Sequence, residues 1–451
     1  LPIALSRRVP GPGGHWQWIP FLAGLASSLA TWQALGATAP EFGDAADYRA
    51  AARALLAGEP YPREATQPFF RAPLYPLFLS LLWRLAPEGA LALGVAQAAL
   101  FASTCWLLYR IGVHVHGDEP AALAGALLYA GHPLALMQVP STQTEVLHTA
   151  LVGAGMAALS ALLLSGRRAN WAALGAGVAF GLAALCRPTA LPIAGALAAG
   201  LVLWRRPLLG VRAGAAWRYA LVMGGAAGMT ILPWTLANAR ATGYPFLVTD
   251  AGGFHLWLGN HPDALRIYEG HFEDRREFVR FTYDHLQRDL PRLLMAQWER
   301  DGGYRALSLA ERERRWRVEA WTNMRRHPGL TLRLWIDKGW ALWRPWLHPA
   351  AYPRWIVVVT GLLVATLYVA AAVGATLVRR HPRGASFVCL LAVLFAAVTV
   401  VHAMVHSMVR FRLPYVDPYL CLLAGSAVMA GADGLRARYE RQHGRPTPRG
   451  G

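Results

Sequence analysis

The side chains in this sequence best suited to chemistry stand where their types are out of place. Asp44 and Asp47, in Gly43-Asp44-Ala45-Ala46-Asp47-Tyr48, follow a long apolar run. A carboxylate there can reach an aqueous substrate and a lipid headgroup together and can take a proton from a hydroxyl. If a helix begins near Asp44, the same pair can cap it instead. Glu145, after Ser141-Thr142-Gln143-Thr144, is the only acid between Glu119 and Asp250. The dipole of a helix starting there would favour it, yet an isolated acid at the edge of an apolar run is costly and equally marks a site. Arg187, Arg410 and Arg412 interrupt apolar runs on the side where topology asks for no basic residue. Guanidinium groups match phosphate in bidentate fashion, so a lipid phosphate suits them; snorkelling to ordinary headgroups is the plainer use. His402 and His406 are four residues apart and could face one cavity. No H-E-x-x-H pattern accompanies them, which favours packing or hydrogen bonding over metal ligation.

The elements that must position these residues follow from composition. Of 451 residues, 55% are apolar and 16% charged, an excess that a soluble core does not need. Runs without charge cover 9–40, 89–109, 120–144, 146–166, 169–186, 188–204, 219–239, 355–378, 384–409 and, except for Asp417, 413–431. With about 20 residues per crossing, roughly ten helices are expected. The fold class is therefore an all-α polytopic membrane protein. Arg7 and Arg8, Arg110, Arg167 and Arg168, Arg205 to Arg218, Arg379 to Arg383, and Arg436 to Arg449 all fall on one face, which the positive-inside rule makes cytoplasmic, along with both termini. Arg7, Arg8, the first apolar run and Ala37-Thr38-Ala39 also resemble a cleavable signal, but the run is long for that, and an uncleaved anchor is the favoured reading.

Two outer segments are too polar for lipid, one from Glu41 to about Ala72 and one from Arg240 to about Pro353 that holds over half of the 26 acidic residues. The stretch from Pro73 to Ala86 suits an interfacial helix. Ser308-Leu309-Ala310-Glu311 reads as a capping box before an amphipathic helix ending near Arg326, stopped by His327-Pro328-Gly329. The expected domains are an N-terminal tail and first span (1–40), an outer loop with interfacial helices (41–88), spans two to seven (89–239), a small mainly helical outer domain (240–353), spans eight to ten (354–434) and a basic tail (435–451).

The net charge of +18 lies mainly in short loops beside apolar runs, so nucleic-acid binding is not expected. Cys105, Cys186, Cys389 and Cys421 read as packing residues, and Lys338, the only lysine, as a product of coding bias toward Arg. The sequence has no phosphate-binding G-x-x-x-x-G-K-S/T loop, no G-x-S-x-G elbow and no C-x-x-C pair, against a nucleotide-driven pump, a serine hydrolase or a zinc ribbon.

In their order along the chain, several short patterns resemble bacterial membrane glycosyltransferases of the GT-C fold, the group of protein O-mannosyltransferases and the aminoarabinose transferase. They are Asp44-x-x-x-Tyr48 with Leu55-Leu56-Ala57-Gly58-Glu59-Pro60-Tyr61; Arg71-Ala72-Pro73-Leu74-Tyr75-Pro76; Thr144-Glu145; Arg187-Pro188-Thr189; Pro233-Trp234-Thr235; Leu256-Trp257-Leu258-Gly259-Asn260; and Arg410-Phe411-Arg412-Leu413-Pro414. Two positions depart from the usual patterns, Ala72 in place of a second proline and Ala237 in place of an arginine before Asn238.

The resemblance implies transfer of a sugar from a polyprenyl-phosphate donor to a glycan, lipid or protein acceptor on the periplasmic face of the inner membrane. It assigns Asp44 first, and Asp47 second, as base or acceptor-orienting group; the scheme the residues themselves permit has Asp44 as base and Glu145 or Asp47 as an orienting or metal-supporting acid. Tyr48, Tyr61, Arg71, Tyr75, Arg187, Trp257, Asn260, His406, Arg410 and Arg412 become candidate substrate-binding residues. No cofactor is demanded, although a divalent metal has a place in the scheme, and a single base predicts inversion at the sugar. The rival expectation is a lipid or sugar flippase, which would also carry outer Arg and a lone acid, but no paired halves are visible.

Overall fold

The computed structural model describes residues 15–36, 44–59, 61, 71–86, 89–163 and 168–442. Ala37-Thr38-Ala39, Arg7, Arg8 and the basic residues beyond Gln442 lie outside these, as does the expectation of a cleavable signal. Among the described residues the chain is helical, without strands: α1 (Ile19–Leu35), α2 (Asp44–Leu56), α3 (Leu74–Leu85), α4 (Ala90–His116), α5 (Glu119–Ala130), α6 (Pro133–Leu136), α7 (Glu145–Leu162), α8 (Ala169–Cys186), α9 (Ala190–Leu203), α10 (Arg205–Leu209) and α11 (Ala213–Thr242) form the first part. The second comprises α12 (Gly252–Gly259), α13 (Leu265–Glu269), α14 (Arg275–Val279), a π-helical stretch (Arg280–Asp289), α15 (Leu290–Gly302), α16 (Leu309–Arg326), α17 (Pro328–Trp343), α18 (Arg354–Val378), α19 (Pro382–Met404), α20 (Val409–Arg412) and α21 (Asp417–Gln442).

Seven of these, α4, α7, α8, α11, α18, α19 and α21, are long and apolar enough to cross a membrane, and the chain is a multi-pass membrane protein. The other three expected crossings contain shorter helices. α1 has 17 residues, α5 has 12 and α9 has 14. The 120–144 run is a helix only to Ala130, because Gly131, Pro133 and Pro140 break it. Its remainder, apart from the single turn of α6, is irregular chain buried in protein, where Gln97 Nε2 donates to the Val139 and Ser141 carbonyls at 2.8 and 2.9 Å. Irregular backbone at such depth survives when other protein groups satisfy it.

One continuous apolar core joins α4, α5, α7, α8, α9, α19 and α21. Close backbone approach supplies much of the packing, as expected where lipid is as apolar as the interface. A Cβ on Gly374 of α18 would stand 1.8 Å from the Leu423 carbonyl oxygen of α21.

Two further clusters hold polar-capped helices at one end of this bundle. Tyr48, Ala52, Tyr75, Leu79 and Trp83 seat α2 and α3 on Leu147 and Cys186. Phe254, Trp257, Trp298, Tyr304, Trp316, Ala320 and Met324 make an aromatic core for α12, α15 and α16, in which Trp316 Nε1 donates to the Tyr304 hydroxyl at 3.0 Å. The capping box at Ser308 and Glu311 is formed, α16 ends at Arg326, and Pro328 opens the next helix.

Gly374→Ala should lower stability by about 1–3 kcal/mol by overpacking the α18–α21 contact, read as a lower thermal midpoint in detergent. Gly224→Ala, on α11 where a Cβ meets nothing within 4 Å, should leave the midpoint unchanged.

Candidate functional site

The out-of-place charges converge. Asp44 opens α2, Arg71 precedes α3, Glu145 opens α7, Arg187 follows α8, and Arg410 lies in α20. Arg71 Nη2 donates to Asp44 Oδ1 at 2.8 Å and to Asp47 Oδ2 at 2.7 Å. Arg410 Nη2 donates to Asp44 Oδ2 at 3.4 Å, and its Nε lies 3.7 Å from Glu145 Oε1. Arg187 Nη2 donates to the same Glu145 oxygen at 2.8 Å. Charges of opposite sign thus alternate through Asp47, Arg71, Asp44, Arg410, Glu145 and Arg187. The Phe411 ring lies between the guanidiniums of Arg187 and Arg410, 5.1 and 5.3 Å from its centroid.

Asp44, Arg71, Arg187 and Arg410 line a cavity of about 670 Å³, whose walls carry five arginines, the others being Arg288 and Arg292, against the single carboxylate of Asp44 among the described residues. Burial works to raise the pKa of Asp44, but Arg71, Arg410 and Arg187 outweigh it and hold the carboxyl below the usual carboxylate range. Burial likewise opposes the charge of Arg410, and Glu145 and Asp44 outweigh it. Tyr48 is pushed up to about 12 by burial and by the Asp44 charge, so its hydroxyl stays protonated. Two imidazoles in the wall are neutral: His255 is pushed down to about 4 by burial and Arg71, and His406 to about 3 by burial, Arg410, Lys338, His255 and His402. Arg187 spends one N–H on Glu145 and packs on Phe411, and its other N–H groups have no partner among the described residues. The wall therefore offers an ionised carboxylate beside unspent guanidinium donors, the pairing that takes a proton from one oxygen and neutralises charge on another.

The remaining sequence-derived candidates sit at different distances from this cavity. Asp47 is two-fifths exposed and reaches it through Arg71. Tyr48 lines it and lies under Arg71, 5.7 Å from ring to guanidinium. Tyr75 is buried behind Tyr48, ring edge to face at 5.1 Å. The Tyr61 hydroxyl donates to the Arg71 carbonyl at 3.1 Å, and its ring packs against Trp234 at 5.2 Å. Trp257 is buried within the aromatic core and does not line the cavity; its neighbour Leu258 does, as do Phe254 and Trp316 of the same core.

Asn260 is buried in a polar knot. Its Nδ2 donates to the Leu256 and Met404 carbonyls at 2.7 and 2.8 Å, and its Oδ1 accepts from Trp335 Nε1 at 2.8 Å and Lys338 Nζ at 3.3 Å. Gly259 lets the chain pass there, since a Cβ would stand 1.5 Å from the Val405 carbonyl oxygen.

Arg412 faces away from the cavity. It is fully buried, pairs through Nε with Asp417 at 2.7 Å, and donates through Nη1 to the Tyr368 hydroxyl at 2.6 Å and the Arg344 carbonyl at 3.0 Å. Two residues apart in α20, Arg410 and Arg412 stand about 200° apart around the helix and so point to opposite sides. His402 and His406 both line the cavity, although α19 ends at Met404 and they do not share a helix face; His402 Nδ1 donates to the His406 carbonyl at 3.1 Å.

Sequence reasoning passed over His255, Tyr283, Arg288 and Arg292, which also line the cavity. They lie in the polar segment, where such residues carry no signal of their own. It also passed over Lys338, which is buried, pushed down to about 7 by that burial, and bonded to the Gly259 carbonyl at 2.9 Å.

This arrangement of helices is the GT-C fold of membrane glycosyltransferases. The structure is similar to the archaeal oligosaccharyltransferase AglB from Archaeoglobus fulgidus in complex with an inhibitory peptide and a dolichol-phosphate, with a TM-score of 0.55 and 13% identity over 97% of this chain and 52% of that one. The apo form of the Archaeoglobus fulgidus oligosaccharyltransferase gives 0.54 and 15% over 95% and 52%. ArnT from Cupriavidus metallidurans bound to undecaprenyl phosphate gives a TM-score of 0.40 and 15% identity over 95% of this chain and 81% of that one. The chain spans about half the length of the oligosaccharyltransferases it matches. Within the fold, residues 70–234 match the family described as dolichyl-phosphate-mannose-protein mannosyltransferase. No curated protein matches the sequence.

Arg412→Met should cost about 3–5 kcal/mol, because it strands Asp417 as an uncompensated buried charge. The double variant Arg412→Met with Asp417→Leu should recover at least half of the loss in thermal midpoint. A double variant no more stable than the single one would mean that the pair is not what holds α20 to α21.

Proposed function

We propose that this chain is a glycosyltransferase that moves a sugar from a polyprenyl-phosphate donor to a hydroxyl-bearing acceptor on the extracytoplasmic face of the cell membrane, with inversion. The observation that carries this reading is the convergence of Asp44 with Arg71, Arg187 and Arg410 on one cavity. The matched family, named for a lipid-phosphate mannose donor, supports the same donor class.

In this reading the acceptor oxygen attacks the anomeric carbon as the bond from that carbon to the phosphate oxygen breaks. The bonding pair leaves on the phosphate, and the hydroxyl proton passes to Asp44. Both Asp44 oxygens already accept from arginines, yet a carboxylate has lone pairs for about four hydrogen bonds, so a site for the incoming proton remains. A positioned base contributes on the order of 100- to 10,000-fold. Arg187 and Arg410 neutralise the charge growing on the phosphate, at a few kcal/mol per donor. A single carboxylate with no partner placed as a nucleophile favours direct displacement, hence inversion. The reading uses no metal, since each acid of the network, Asp47, Asp44 and Glu145, is already engaged by a guanidinium.

Sidedness is inferred from charge. The cavity gathers the start of α2, the end of α8, the start of α9, the start of α12 and the end of α19. The opposite helix ends carry Arg168, Arg205, Arg206, Arg379, Arg380 and Arg436, which the positive-inside rule assigns to the cytoplasm.

Asp44→Asn should lower turnover at least about 100-fold while the protein folds and binds lipid. Arg187→Ala and Arg410→Ala should weaken binding of polyprenyl phosphate. The assay is release of radiolabelled sugar from a polyprenyl-phosphate donor by purified protein. Wild-type turnover by Asp44→Asn removes the base, and label that crosses a vesicle membrane without leaving its lipid makes the protein a flippase.

A further inference from the structure

The segment between α19 and α20 is held from several sides. Asn260 binds the Met404 carbonyl at 2.8 Å, Lys338 the Val405 carbonyl at 3.5 Å, and His402 the His406 carbonyl at 3.1 Å. Tyr268 grips the same loop through one hydroxyl, which accepts from the Ser407 backbone N–H at 3.3 Å and lies 3.2 Å from His406 Nδ1.

That geometry decides a proton. A phenol hydroxyl has one proton to give. The Ser407 amide can only donate, and among the described residues the sole acceptor within reach of the Tyr268 hydroxyl is His406 Nδ1. The hydroxyl therefore donates to Nδ1, and the imidazole carries its own proton on Nε2. No described residue bonds that nitrogen, and His406 lines the cavity next to Arg410.

We infer that His406 presents Nε2–H as an uncharged hydrogen-bond donor to an oxygen of the bound lipid-phosphate sugar, and that Tyr268 is the positioning residue that fixes this tautomer. The role deepens the glycosyl-transfer reading and rests on it. Arg410, Lys338, His255 and His402 all face His406, and each cationic neighbour keeps the imidazole neutral. A donor of this kind serves a sugar hydroxyl or a phosphate oxygen without adding charge to a wall already rich in arginine.

Two measurements on the full chain in detergent test this. First, the ¹⁵N spectrum of histidine-labelled protein, with the His406 signals assigned by their loss in His406→Gln, should show an unprotonated Nδ1 and a protonated Nε2, a signature that Tyr268→Phe should blur toward a mixture. A His406 with Nδ1 protonated overturns the inference.

Second, the affinities for polyprenyl phosphate and for a polyprenyl-phosphate sugar should fall about 5- to 20-fold in His406→Leu, the value of one hydrogen bond to a buried partner. They should stay within about threefold in His406→Gln, whose amide places an N–H near Nε2. Loss of affinity for both ligands places the contact on phosphate, and loss for the sugar-bearing ligand alone places it on the sugar. Wild-type binding that His406→Leu leaves unchanged overturns the role of His406 alone. Failure of the wild-type protein to bind either ligand overturns the glycosyl-transfer reading together with it.

Discussion

Charge neutralisation at low dielectric is the constraint on which the rest of this structure depends. Six charge-bearing side chains meet where the ends of several apolar helices converge, all but Asp47 largely buried, and a charge buried there without a partner would cost several kcal/mol. The alternation of Asp47, Arg71, Asp44, Arg410, Glu145 and Arg187 solves this by giving each charge an opposite neighbour. It also fixes the architecture, because the six come from α2, the turn before α3, α7, the end of α8, and α20, segments far apart in sequence. The network is a staple for the bundle as well as the wall of a cavity. The network itself is balanced, three charges of each sign, but the cavity wall carries five arginines against the one carboxylate of Asp44 among the described residues, so the cavity attracts anions.

What could be read from sequence follows from cost. Asp44, Glu145, Arg187 and Arg410 stand out because an ionisable group among apolar runs persists only with a partner. The seven long spans are visible for the same reason, in the absence of charge. The partner of each group could not be read, because pairing is a property of the bundle. Arg410 and Arg412 look alike in sequence, two residues apart. In the fold, α20 directs Arg410 to Asp44 and Arg412 to Asp417, and Asp417 had shown itself only as an exception in an otherwise uncharged span. Apolarity also misled at residues 120–144, where burial within protein replaces lipid and supports irregular chain as well as helix. In the polar segment the reverse holds. Charge is cheap in water, so Arg288 and Arg292 raise no signal until the structure turns them to the cavity.

The Leu256 to Asn260 pattern shows how a recognisable motif can act at one remove. Leu258 meets the cavity, while Trp257 and Asn260 point into the surrounding structure. Asn260 saturates four hydrogen bonds, to Leu256, Met404, Trp335 and Lys338, and so ties α12 and α17 to the end of α19. Lys338 sits in this knot against carbonyl oxygens, with no carboxylate among its bonded partners. Its pKa near 7 reflects what burial without a counter-charge costs an ammonium. A residue that composition alone made unremarkable is thus one of the more expensive in the protein.

These ties bear on how the cavity could act. Between Met404 and Arg412 the chain divides its side chains, with Val405, His406, Met408, Arg410 and Phe411 lining the cavity and Ser407, Val409 and Arg412 buried away from it. The Ser407 backbone N–H is bonded to α13 and Arg412 to the junction of α17 with α18, so the cavity-lining side chains have little freedom to adjust. Donors held in this way need no reordering when charge develops before them, and the ordering cost has been met in folding. The same rigidity accounts for the expense of the buried set. A buried Arg412–Asp417 pair adds little stability over a well-packed apolar pair, but it orients a four-residue helix that has too few hydrogen bonds to orient itself.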